Sequence, residues 1–106
     1  MHKHHFDRQG WAKMTLFEQM GNIGSEVGRA LSAKHQGDND SMNSALFRGL
    51  DLIDATAKLW AQKYPFRNRE LLRARELFVQ SVITDKEDKT LENYFMQFAI
   101  AARLNR

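Results

Sequence analysis

The stretch TLFEQMGNIGSEVGRAL, residues 15–31, decides the fold of this chain. Thr15-Leu16-Phe17-Glu18 has the form of a capping box, in which the Thr15 hydroxyl accepts from the Glu18 amide and the Glu18 side chain reaches back. Phe17, Met20, Gly24, Val27 and Leu31 then recur at spacings of three and four, and Leu16, Ile23 and Ala30 widen the apolar stripe. The pattern predicts a helix from Thr15 to about Gln36. Gly21, Gly24 and Gly28 lie inside it, each at a cost of about 0.5–1 kcal/mol against alanine. Three such residues on one helix point to a neighbour that comes closer than side chains would permit. Another helix of the same chain, a close crossing of two copies, or a ligand resting on the backbone each fit that requirement. The ligand is the weakest of the three, because N–H groups in a helix interior are already bonded.

Downstream, Lys34 and His35 complement the negative end of this first helix, and Gly37 suits the residue just past it. Asp38-Asn39-Asp40-Ser41 is a block of turn and capping residues that places the start of a second helix near Ser41, with Pro65 ending it. Leu46, Leu50, Ile53, Ala57 and Trp60 form one apolar stripe of that helix, and Ala45, Gly49, Leu52, Thr56 and Leu59 form a second. A third helix is expected from a cap at Asn68 to about Ile83. After the charged turn Asp85–Lys89, a fourth is expected from a cap at Thr90 onward, with Leu91, Phe95, Phe98 and Ala102 inward and Tyr94, Ala101 and Ile100 beside them. There is no strand-like alternation and no internal repeat.

Four amphipathic helices on short connections predict an all-α fold, an antiparallel up-down four-helix bundle over residues 15–106, with residues 1–14 as a flexible tail. The first two helices are longer than the last two, so apolar surface on them is expected to protrude and to be covered by a second copy, giving a homodimer.

Composition narrows the function classes. The 106 residues are 42% apolar and 27% charged, as in ordinary globular proteins. With no cysteine, disulfides, thiolate catalysis and Cys-based zinc sites are excluded. The opening residues lack the apolar core of a secretory signal, and no apolar run approaches the ~20 residues of a membrane span. A cytoplasmic protein with no membrane partner is expected. His2, His4 and His5 read as tail residues, not a metal site, since nothing near them completes a coordination shell.

No cofactor or metal is expected. Di-metal bundles need Glu-x-x-His pairs, and none occurs. Asp51 and Asp54 form the D-x-x-D pair of a metal-dependent nucleotide hydrolase, but they are read as a solvated ladder, Asp51 with Arg48 and Asp54 with Lys58. Arg29 and His35 have the R-x(4–6)-H spacing that resembles the motif of the HEPN helical ribonucleases. That spacing is loose enough to arise by chance in a chain with nine arginines and four histidines. Arg67, Arg69, Arg73 and Arg75, set against Glu70 and Glu76, are the densest positive charge, and Tyr64 and Phe66 lie just before them. The cluster is read first as a salt-bridging face and second as an anion or nucleic-acid surface on which bases stack.

FEQMGNIGSEVGRAL, RGLDLIDAT, LLRARELF and ENYFMQFAIAAR together resemble a group of short prokaryotic four-helix proteins without an assigned activity. The resemblance covers about residues 15–103; it implies a fold and transfers no site. The resulting expectation is a non-enzymatic, self-associating module for protein–protein interaction, using the first two helices. The alternative is an RNA- or DNA-associated module using Arg67–Arg75, with an enzyme third.

Overall fold

A computed structural model describes residues 8–104, and every regular element among them is an α-helix. In chain order these are α1 (Arg8–Lys13), α2 (Leu16–His35), α3 (Asn39–Lys63), α4 (Pro65–Ile83) and α5 (Thr90–Leu104). None is long and apolar enough to cross a membrane. The N-terminal histidines lie outside the described residues.

Local chemistry accounts for the boundaries. Thr15 Oγ1 accepts from the Glu18 amide at 3.1 Å, and Glu18 Oε1 accepts from the Thr15 amide at 3.0 Å, so both halves of the capping box form. At the far end Gly37 takes φ +74°. The Gly37 and Asp38 amides close back onto the Lys34 and Ala33 carbonyls at 3.1 and 2.9 Å, the double closure that ends a helix on glycine. Asp38 Oδ1 then accepts from the Ser41 amide at 3.1 Å and caps α3, which starts at Asn39. Ser41, first through its side chain and then through its amide, holds the Asp38 carboxyl below the usual carboxylate range.

Three expectations are corrected. Residues 8–13 are helical, not tail: α1 inserts Trp11 into the core, where its indole Nε1 donates to Thr56 Oγ1 at 2.8 Å. Gln19 ties the same residue down, donating from Nε2 to the Trp11 carbonyl at 2.8 Å and accepting from Trp60 Nε1 at 3.2 Å. Second, Asn68 does not cap α4. Pro65 occupies its first turn, where the ring's fixed φ suits a helix and the missing N–H is not needed. Third, Thr90 is the first residue of α5 and donates from both its amide and its hydroxyl to Asp88 Oδ1, at 2.8 and 2.6 Å.

The core is organised on α2. Its Met20, Ile23, Val27, Ala30 and Leu31 are buried between α3, which contributes Ala45, Ile53 and Trp60, and α5, which contributes Leu91, Phe95 and Phe98. On the other side of α3 lies α4, whose Phe78 ring is buried against Gly49. A Cβ at Gly49 would stand 2.7 Å from Phe78 Cε2, so glycine sets how closely these helices approach. The C-terminal ends of α2 and α4 are joined: Lys34 Nζ donates to the Ser81 and Thr84 carbonyls, and His35 Nε2 lies 2.7 Å from Glu87 Oε2. By contrast, α4 and α5 meet only lightly.

Candidate functional site

The glycine face of α2 receives α5. A Cβ on Gly21 would sit 3.4 Å from the Ala99 Cα, and one on Gly24 would sit 2.6 Å from the Phe95 Cβ. One on Gly28 would find only Glu92 Oε2, at 4.0 Å. The helices are therefore closest at Gly24 and open towards Gly28, leaving a groove of about 190 Å³ bordered by Ser25, Glu92 and Met96. The apolar stripe of α2 is covered by this chain's own helices, and its exposed positions Glu18, Asn22, Ser25, Arg29, Ser32 and His35 are polar. Among the described residues α2 thus presents no protruding apolar surface, whereas α3 does, at the exposed Phe47 and Leu59.

The four arginines of the basic cluster have separate surroundings. Arg67 pairs with Glu70 at 3.2 Å and holds its guanidinium 5.4 Å from the Phe98 ring centre. Arg75 crosses to α3 and pairs with Asp54 through Nε at 2.9 Å. Arg69 stacks 5.4 Å from the ring centre of Phe66, which is 75% exposed, and Lys63 stands 5.5 Å from the ring centre of Tyr64. Arg73 lines a small, mainly apolar groove between α4 and α5 with Glu70, Leu77, Leu91 and Tyr94. The Tyr94 hydroxyl points at Glu70 Oε1 at 3.4 Å, and its pKa is pushed up to about 12, first by burial and then by the Glu70 charge.

Two pairings predicted along α3 are replaced by pairings between helices. Arg48 turns inward to Glu26 Oε2 at 2.8 Å, and Asp54 takes Arg75 in place of Lys58. Arg29 pairs with the other oxygen of Glu26, so one carboxylate with 7% exposure bridges two guanidinium groups, with side-chain exposures of 64% and 32% for Arg29 and Arg48. Desolvating a carboxylate is costly unless it is paired and hydrogen-bonded, and this clamp supplies both. The groove beside it, about 850 Å³, is open and lined by Ser32, Asp38, Asp40, Ser41 and Ser44 as well as the two arginines. Its charges are mixed, which favours no one ligand class. Arg29 and His35 hold different partners, Glu26 and Glu87, and share none. Among the described residues no three His, Asp or Glu side chains are grouped to hold a metal ion.

The outer side of α5 departs from the sequence-based expectation, which sets Ile100 beside the inward stripe. Since α5 rests on α2 and barely touches α4, its outer side is uncovered, and Met96, Ile100 and Leu104 are 51%, 46% and 79% exposed. The signal was available: Asn93–Ala102 is a run of ten residues without a charge, too long for the solvated side of a helix. Comparison with known protein families, curated proteins and solved structures returns no match to this chain.

Proposed function

We propose that this protein is a non-catalytic helical module that acts by pairing with a second copy of itself. The four long helices are read as an antiparallel up-and-down bundle, kin to the short prokaryotic four-helix proteins, with α1 as an added clasp. Falling residue numbers against rising ones support that reading: Gly21, Gly24 and Gly28 with Ala99, Phe95 and Glu92, then Gly49 and Asp54 with Phe78 and Arg75, then Arg67 and Glu70 with Phe98 and Tyr94.

The observation that carries self-association is the uncharged, exposed side of α5. Solvated helix faces hold charge, and exposed large apolar side chains in a row mark contact surfaces. Sedimentation equilibrium from micromolar to millimolar chain tests it. The expected mass rises from one 12.3 kDa chain towards two with a single dissociation constant. A single-chain mass throughout removes the reading.

A second reading rests on the corner between α3 and α4. There the exposed Phe66 ring with Arg69 over it, and Tyr64 with Lys63, offer stacking surfaces beside positive charge, the combination that holds single-stranded nucleic acid. Anisotropy of a labelled oligonucleotide tests this: binding that weakens steeply with salt and vanishes in Arg69→Glu with Arg73→Glu supports it. No binding at low salt eliminates it.

A further inference from the structure

We propose that the second copy docks on α5, with two α5 helices lying antiparallel across a two-fold axis that passes near Gln97 and Phe98. The inference rests on the self-association reading above and assigns it a face and a geometry.

The two charged residues that bound the uncharged run are opposite in sign, Glu92 and Arg103. Among the described residues neither takes part in an ion pair within the chain. They are eleven residues apart, which is three helical turns plus about 20°, so they lie on one edge of α5 about 16 Å apart along its axis. Ile100 stands at the middle of the exposed arc, and Met96 lies between it and that edge.

A two-fold axis perpendicular to an antiparallel helix pair keeps each residue on its own edge and inverts its height. With the axis at the midpoint of Glu92 and Arg103, Glu92 of each copy meets Arg103 of the other, giving two symmetric ion pairs. At the same setting Met96 of one copy comes beside Ile100 of the other, within about one residue rise. Charge and apolar surface are thus complementary under a single operation, as an isologous interface requires. An unrelated partner would give no reason for both pairings to share one midpoint.

The test is sedimentation equilibrium and size-exclusion chromatography with light scattering on the full chain, with far-ultraviolet circular dichroism to show that each variant keeps its helices. Ile100→Glu is expected to weaken the dimer at least tenfold. Glu92→Arg and Arg103→Glu each place like charges together at two points and are expected to weaken it by about five- to tenfold. The double variant Glu92→Arg/Arg103→Glu restores both pairs and is expected to return the dimer to within about twofold of the original. A dimer indifferent to Ile100→Glu, or a double variant no better than the single ones, overturns this geometry while leaving self-association standing. A chain that is monomeric at every concentration overturns both.

Discussion

Gly24 on α2 faces the Cβ of Phe95 on α5 so closely that a methyl group on the glycine would lie 2.6 Å from that carbon. Gly28, one turn further on, has only the tip of the Glu92 side chain at 4.0 Å. The two glycines should therefore respond to alanine with opposite signs. Gly28→Ala gains helix propensity and stabilises by up to about 1 kcal/mol, whereas Gly24→Ala forces α5 outward and destabilises by about 1–3 kcal/mol. Urea denaturation of both variants checks this, and equal responses would contradict the close approach of the helices at Gly24.

Trp11 and Thr56 make a second sharp case, because each satisfies the other inside the core. Trp11→Phe leaves the Thr56 hydroxyl buried without its donor and should cost about 1–3 kcal/mol. Adding Thr56→Val removes the orphaned hydroxyl, so the double variant should be less destabilised than the sum of the single ones. Additive losses in the cycle would show that the hydrogen bond has no energetic role.

Glu26 is the shared partner of Arg29 and Arg48, and its loss strands charge on both sides. Arg29 is mostly exposed, so Arg29→Ala should change stability by less than about 0.5 kcal/mol. Glu26→Ala should cost several times more, since it leaves the half-buried Arg48 without its carboxylate. Thermal melts of the two alanine variants rank them, with Glu26→Ala lower; an Arg29→Ala melt as low as that would refute the ranking.

The Tyr94 phenol has a folded pKa of about 12, above its ordinary value of 10, so the fold favours its neutral form. That contribution is complete below pH 10 and is lost as pH rises from 10 through 12. Chemical denaturation between pH 9 and 12 should show stability falling, with a shallower fall in Tyr94→Phe. Parallel curves for the two proteins would mean the phenol does not titrate against the fold.

What could be read from the sequence was set by how local the chemistry is. The Thr15–Glu18 box and the glycine closure at Gly37 span a few residues, and both form as their residue types dictate. Asp38 likewise caps α3 from within one turn. Helix starts failed where two local signals competed: Pro65 ends one helix and begins the next, which made Asn68 superfluous as a cap. Short α1 has too few residues for any periodicity, so nothing local marked Trp11 as core. Helical spacing pairs Arg48 and Asp54 with neighbours on their own helix, because only those partners are visible in one dimension, whereas Glu26 and Arg75 come near only after folding. The glycines announced a close neighbour through their helix cost, but α5 as that neighbour emerged only from the packed structure.

Within one chain α5 leans on α2 and only lightly on α4, so its amides depend chiefly on one seam for their shielding. Opening that seam frees the last helix while α2, α3 and α4 keep their mutual contacts and the Lys34 latch to the Ser81 and Thr84 carbonyls. Native-state hydrogen exchange should accordingly divide the molecule into two tiers, with α5 exchanging through a partial opening and the amides around Ile23, Val27 and Leu31 only through complete unfolding.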